Sequence, residues 1–293
     1  MQFTLGGWKS QINFKDREKL VKLYIQTDIE GIAGYVFFEN RADQSFENHQ
    51  HRQRMRVLLT GEVNAAVRAA FDGGADTVII NDSHGSGYNI IFEDLEPRCE
   101  IIHGRNCSGP HWLPELDGSF DAMLLVGMHA MAGTENAILP HSMWDVNDGE
   151  LYLGEGGMAA AIAGDLGVPK IFVSGDDAVV GEISGRIPDI GTAVVKKALG
   201  SFIARSLMPE KAREKIYAGT RNAIARIHGI KPYKIKGPLK LNLWDSENHA
   251  PPFRKMLPDG VRGETISQCF IDFENKMPWY PGHIKLPDGF VYP

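Results

Sequence analysis

The sequence has 293 residues, of which 43% are hydrophobic and 23% charged, a balance typical of a soluble globular protein with one or two domains. The formal net charge of -6 argues against a nucleic-acid partner, because nucleic-acid-binding proteins usually carry a basic surface. No apolar run approaches the length of a transmembrane helix, and residues 1–20 lack the apolar segment of a secretion signal, so we expect no membrane partner.

Apolar strands alternate with helices after a polar N-terminal arm at residues 1–20. The apolar patterns predict strands at 23–27, 76–80, 99–104, 121–127 and 170–175, and helices at 58–72 and 157–167. Buried strands separated by helices are typical of a mostly parallel sheet covered on both faces. The predicted fold class is therefore α/β, with a three-layer domain over residues 21–195.

The pattern changes near residue 195, where a smaller unit is predicted to begin. A long amphipathic helix is expected at 206–228, with Pro209 near its start. Two runs that alternate between polar and apolar residues, 238–245 and 264–273, predict antiparallel strands. We therefore expect a C-terminal α+β domain over residues 196–293 that ends in an irregular tail rich in proline and glycine.

Acidic and imidazole side chains follow the predicted strands at equivalent positions. Asp28 and Glu30 come after the first strand, His84 after the second and His129 after strand 121–127, while Glu155 begins the helix near residue 157. The carboxyl ends of parallel strands share one edge of the sheet, where ligands bind. We expect these five side chains to meet there, because a buried carboxylate needs a compensating partner.

Three carboxylates and two imidazoles form a nitrogen and oxygen ligand set. Such a set suits zinc and, less selectively, manganese, iron or cobalt. If Asp28 bridges two ions, the other four side chains can be shared two and two, which leaves each ion an open position for water. This arrangement predicts two Zn²⁺ per chain, about 3.5–4 Å apart, with a bridging hydroxide as nucleophile.

Each of these residues also has an ordinary structural interpretation. Asp28 and Glu30 could cap a helix or pair with an arginine. His84 and His129 could be loop histidines with hydrogen-bond partners, and Glu155 could complement a helix dipole. The metal hypothesis rests on all five residues falling at equivalent junctions, which separate structural roles would not require.

Other polar residues near these junctions have weaker signals. His141 could orient substrate, transfer a proton or stabilise an oxyanion, or it could be a polar loop residue. Asp176 and Asp177 are expected to cap the following helix. His49 and His51 are separated by two positions and do not share a helix face, so they are predicted to be solvated.

Two further observations bear on the class of protein. Residues 154–159, GEGGMA, match the dinucleotide-binding pattern G-x-G-x-x-A and keep a nucleotide-binding protein as an alternative. The cysteines are Cys99, Cys107 and Cys269, and no Cys-x-x-Cys pair occurs. This cysteine usage argues against thiolate zinc sites and favours a cytoplasmic location.

Six short motifs occur in one order, namely TDIEG, NDSHG, GMHA, PHSM, GEGG and SGDD. Over residues 21–275 they resemble the zinc-dependent D-aminopeptidases of the dipeptide-transport operon type. The resemblance implies a homo-oligomer, a ring-shaped decamer of stacked pentamers whose active sites face an internal channel. It also implies a catalytic histidine at His141 and a dinuclear zinc site formed by Asp28, Glu30, His84, His129 and Glu155.

The expected activity is that of a metallo-aminopeptidase that releases N-terminal, D-configured amino acids from short peptides or amides. An amino-acid amidase using the same site is the alternative within enzymes, and a peptide sensor without turnover is a third. The N-terminal arm, the loop at 105–118 and the C-terminal tail lie outside the shared pattern.

Overall fold

The computed structural model describes residues 20–38, 43, 45–104, 112–245 and 253–277. Nearly all of the predicted N-terminal arm, the first half of the loop at 105–118 and the tail after residue 277 lie outside the described residues. Among the helices that are described, none is long and apolar enough to cross a membrane.

Strands and helices alternate along the described chain. The helices are α1 (Phe46–Asp72), α2 (Glu155–Asp165), α3 (Asp177–Arg186), α4 (Pro209–Ile224) and α5 (Ile266–Glu274). The strands are β1 (Lys22–Thr27), β2 (Thr77–Asp82), β3 (Glu100–Ile102), β4 (Ala122–Met128), β5 (Met143–Val146), β6 (Leu151–Leu153), β7 (Lys170–Asp176), β8 (Gly191–Gly200), β9 (Ile203–Ser206), β10 (Leu239–Asp245), β11 (Arg254–Lys255) and β12 (Val261–Gly263).

A seven-stranded sheet with the order β3-β2-β1-β4-β7-β8-β9 forms the centre of the molecule. All neighbouring strands are parallel except β9, which is antiparallel to β8. Leu23 and Ile25 belong to the core that α1 and α4 cover, whereas Tyr24 packs with residues of α2. Because neighbouring residues of a strand point to opposite faces, helices cover both faces, and the predicted α/β fold is confirmed.

A second, antiparallel sheet has the order β11-β10-β5-β6, with β12 also paired to β10. It agrees with a smaller C-terminal unit, although β5 and β6 come from the middle of the sequence. The predicted strand at 264–273 is wrong, because these residues form α5. Its buried residues are spaced as on one helix face, at Ile266, Cys269, Phe270 and Phe273, and the side chain of Thr265 caps its first turn.

The predicted division between residues 195 and 196 coincides with a continuous strand. β8 extends from Gly191 to Gly200, and β9 adds a further strand of the same sheet after it. The division into domains therefore stays a prediction.

The strand order reverses at β1. The chain passes from β1 outward to β2 and β3, and then returns to β4 on the other side of β1. In open α/β sheets, the crevice at the carboxyl ends beside such a reversal is the usual ligand site. Asp28 and His129, which directly follow β1 and β4, lie at this crevice.

Candidate metal centre

The segment after β1 stays in contact with the end of β4. The amide of Asp28 donates to the carbonyl of Val126 (2.9 Å), and the amide of Gly31 donates to that of Gly127 (2.7 Å). A Cβ atom on residue 31 would lie 2.0 Å from the Met128 carbonyl oxygen, so only glycine permits this approach. Asp28 and Glu30 are thereby held, almost fully buried, at the reversal of the strand order.

The loop after β2 folds back onto the same place. The hydroxyl of Ser83 donates to the carbonyl of Thr27 (2.7 Å). The side chain of Asn89 donates to the carboxylate of Asp82 (2.8 Å) and to the carbonyl of His84 (2.7 Å). These bonds hold the His84 imidazole beside the first motif.

The third contribution comes from the segment between β4 and α2. His129 directly follows β4 and is 1% exposed. The ring of His141 stacks on it, with the centroids 3.7 Å apart. Leu139 and Ser142, on either side of His141, have φ values of 49° and 56°, a conformation that costs free energy and concentrates at functional sites. Glu155 is the first residue of α2.

These side chains form two groups, and within each group the ligand atoms lie within 4.8 Å of one another. In the first group, Nδ1 of His84 lies 3.0 Å from Oδ1 of Asp28 and 3.1 Å from Oε2 of Glu30. In the second group, Oε1 of Glu155 lies 3.7 Å from Nε2 of His129 and 4.0 Å from Nε2 of His141.

Asp28 connects the two groups. Its Oδ1 faces His84, while its Oδ2 lies 3.6 Å from Nε2 of His129. Oδ2 of Asp28, Oε2 of Glu30 and Nε2 of His129 are buried and have no hydrogen-bond partner among the described residues. Buried polar atoms are normally paired. Oδ2 of Asp28 faces Nε2 of His129, and Oε2 of Glu30 faces Nδ1 of His84. Buried ligand atoms in such positions fit a site for cations.

Burial of the carboxylates is reflected in their pKa values. Burial and the charge of Glu30 raise the pKa of Asp28 to about 7. Burial also acts to raise the pKa of Glu30 and Glu155, but the facing histidines outweigh it. His84 holds the pKa of Glu30 well below its usual range, and His129 holds that of Glu155 at about 2. The carboxylates thus depend on nearby positive charge to remain ionised.

The stacked imidazoles of His129 and His141 have pKa values that are shifted in opposite directions. Burial lowers the pKa of His129, but Glu155 and Asp28 outweigh it and raise the value to about 10. Burial and the charge of His129 lower the pKa of His141 to about 4. Without metal, a proton on His129 supplies the positive charge that the carboxylates require, and a bound cation would take over that role.

Comparisons with known proteins identify the family of this chain. Residues 21–268 match the sequence model of the D-aminopeptidase family. The chain belongs to the D-aminopeptidase family. It is 32% identical over 220 residues to a D-aminopeptidase of Bacillus subtilis (strain 168), a match that covers 72% of this chain and 77% of that protein.

A solved structure is similar as well. The Zn-dependent D-aminopeptidase DppA from Bacillus subtilis, described as a self-compartmentalizing protease, superposes with a TM-score of 0.74 at 26% identity. The superposition covers 85% of this chain and 94% of that one. As a member of the D-aminopeptidase family, the chain is a hydrolase of peptide bonds.

Two buried ionisable side chains, which the sequence pattern did not reveal, hold the backbone of the segment after β1. Nζ of Lys196, on β8, donates to the carbonyl oxygens of Glu30 and Tyr35. A carboxylate oxygen of Glu62, on α1, accepts from the amide of Ala33 (2.8 Å). Both side chains are nearly fully buried. The sequence feature that could have revealed this contact is Lys196 itself, a lysine inside an apolar strand, where its charge requires partners.

The aspartates after β7 have different roles. Asp176 caps α3 as expected, since its side chain accepts from the amide of Val179 (2.8 Å), and it also accepts from the amide of Ile138 (2.7 Å). Asp177 was wrongly expected to cap this helix, because its carboxylate accepts from the amide of Ala198 on β8 instead. His49 and His51 are exposed on α1, as predicted.

The GEGGMA segment lacks the context that dinucleotide binding requires. It follows β6, which belongs to the antiparallel sheet, whereas the fingerprint requires a preceding strand within a βαβ unit. The carboxylate of Glu155 also faces two imidazoles at the start of α2. The segment therefore places the acidic side chain of Glu155 at the site.

We expect Gly31→Ala to lower the free energy of unfolding by about 1–3 kcal/mol, because its methyl group would overlap the Met128 carbonyl. Gly181→Ala is the control, since no described atom lies within 4 Å of its added Cβ, and alanine in a helix is favourable by about 1 kcal/mol. Chemical denaturation measures both variants. Equal stability of Gly31→Ala and the wild type would contradict the close approach.

Proposed function

We propose that this chain is a dinuclear zinc D-aminopeptidase. The observation that carries the proposal is the position of Asp28, whose two carboxylate oxygens face different groups of ligands. One ion would be held by Asp28, Glu30 and His84, and the other by Asp28, His129 and Glu155. The zinc dependence of the similar Bacillus subtilis structure favours zinc over other cations.

Zinc would supply polarisation of the scissile carbonyl and a water that ionises near neutral pH. The chain itself supplies three carboxylates in a buried crevice, which would hold the ions together with the histidines. The carboxylates at the rim also suit the free amine of a substrate. This amine would fix the N-terminal residue of a short peptide at the site, which accounts for aminopeptidase activity.

His141 is proposed as the catalytic residue. Its Nδ1 lies 2.8 Å from the carbonyl oxygen of Leu139, which favours the tautomer protonated at Nδ1. Its Nε2 faces the ligand groups and, in this tautomer, accepts a proton. The arrangement supports a proton relay, in which Nε2 first takes a proton from the attacking water and then gives it to the leaving amine, rather than stabilisation of an oxyanion by a neutral donor.

The substrate class proposed here is short peptides with an N-terminal D-amino acid, because both similar proteins are D-aminopeptidases. Amino-acid amides remain the alternative substrate of the same site. A cytoplasmic location stays a prediction from the cysteine usage.

We also propose that the chain forms a homo-oligomer, with a ring-shaped decamer as the expected form. The similar structure is described as self-compartmentalizing, which requires several copies. β8 and β9 form a hairpin at one edge of the central sheet. Three apolar side chains near its turn are more than half exposed, namely Leu199, Phe202 and Ile203. Apolar side chains at a sheet edge are suited to contact with another chain.

Sedimentation velocity tests the oligomer. We expect a single species with a mass several-fold that of one chain, at concentrations where the enzyme is active. A monomer that retains full activity would contradict self-association as part of this function.

We expect the wild type to bind about two zinc ions per chain and Asp28→Asn at most about one, because the amide removes a charge shared by both groups. Hydrolysis of D-alanyl-D-alanine should be abolished in this variant. Asp176→Asn is the matched control, since Asp176 is buried at the same sheet edge and its carboxylate accepts from the backbone amides of Ile138 and Val179. Elemental analysis measures the zinc content of each variant. An unchanged zinc content in Asp28→Asn would contradict the bridging role of Asp28.

His141→Gln separates a catalytic role from a ligand role. We expect kcat to fall by at least about 100-fold while the zinc content is retained, because a proton-transfer group is lost and no ligand is. His228→Gln, at an exposed histidine outside both groups, should leave kcat unchanged. Loss of one zinc from His141→Gln would instead assign His141 as a ligand.

A further inference from the structure

A cleft of about 250 Å³ lies beside the candidate metal centre. It shares two loops with that centre. Ile29, which lines the cleft, stands between Asp28 and Glu30, and Asn89, also in the lining, donates to the carbonyl of His84. A molecule that occupies the cleft therefore lies next to the loops that carry the first group of ligands.

The lining of the cleft combines apolar surface with two arginines. Tyr35, Phe37 and Tyr88 supply aromatic surface. Arg52 and Arg56 lie one turn apart on α1 and therefore share a face of this helix. Such a combination suits a ligand with a small apolar part and an anionic group, since a guanidinium binds a carboxylate through two parallel hydrogen bonds.

The guanidinium of Arg56 is weakly satisfied by the described residues. Its Nη1 lies 3.4 Å from Oε1 of Gln53, and its Nη2 lies 3.5 Å from the carbonyl oxygen of Ile90. Its Nε is buried without a hydrogen-bond partner. None of the ion pairs between described residues includes Arg56. The guanidinium also lies over the ring of Tyr88, 5.5 Å from its centroid. A half-buried cation with long contacts and no counter-ion among the described residues can pair with an anion that arrives with a ligand.

We propose that this cleft binds the C-terminal carboxylate of a short peptide through Arg56. The inference rests on the proposed function, because it places the scissile bond at the metal centre and the residue after it in the cleft. It narrows the substrate class to peptides with a free carboxylate close to the scissile bond. Peptides are thereby favoured over amino-acid amides, which lack that group.

Steady-state kinetics on D-alanyl-D-alanine and its C-terminal amide tests the proposal. For Arg56→Gln we expect kcat/KM on the free acid to fall roughly 10- to 100-fold, mainly through KM, because a charge-assisted hydrogen bond is lost. The rate on the amide should stay within about twofold of the wild-type rate, since the amide brings no charge to the cleft. A general loss of structure would lower both rates equally.

The helix offers a matched control. Arg54 lies between the two arginines in sequence, is exposed and does not line the cleft. Arg54→Gln removes the same charge and should change neither rate. If Arg56→Gln leaves the ratio of the two substrates at its wild-type value, or if Arg54→Gln shifts it equally, the carboxylate site is refuted while the proposed function stands.

Binding to the metal-free protein separates this inference from the proposed function. Ligand-observed NMR with the same two dipeptides measures their affinities without hydrolysis. We expect the free acid to bind more tightly than the amide, and Arg56→Gln to remove the difference. If the zinc-loaded wild type cleaves neither dipeptide, the proposed function is wrong, but carboxylate-dependent binding would still support the cleft. Equal affinities of the wild type for the free acid and the amide would overturn the proposed carboxylate site.

Discussion

The structure depends on two carboxylates, Asp28 and Glu30, that lie close together in one short segment and are almost fully buried. Ionised carboxylates in such a place repel each other and lose their hydration, so they require positive charge nearby. His84 and His129 approach them from two neighbouring strand ends: Nδ1 of His84 lies 3.0 Å from Oδ1 of Asp28, and Nε2 of His129 lies 3.6 Å from Oδ2 of Asp28. The arrangement is that of a cation site whose central ligand is Asp28.

The fold provides this arrangement through its strand order. The reversal at β1 leaves a crevice that β1, β2 and β4 border with their carboxyl ends. Gly31 permits the first motif to lie against β4, and Lys196 and Glu62 hold the following backbone from β8 and α1. The ligands are thus placed by the carboxyl ends of the central sheet, and two buried side chains hold the backbone that follows the first of them.

Much of the site follows from sequence because one rule, the shared edge of parallel strands, applies to three of its members. That rule assembles Asp28, His84 and His129 before any side-chain geometry is known. The division into two groups does not follow from it, since that division depends on side-chain directions. The same holds for Lys196 and Arg56, whose partners are distant in sequence. The segment 264–273 was mistaken for a strand because short apolar patterns fit both periods.

Anomalous X-ray diffraction at the zinc edge, on crystals of the zinc-loaded protein, tests the central claim most directly. The account predicts two peaks per chain about 3.5–4 Å apart. One peak should lie beside Glu30 and His84 and the other beside His129 and Glu155, with a carboxylate oxygen of Asp28 next to each. A single peak per chain, or peaks next to other residues, would contradict a dinuclear site centred on Asp28.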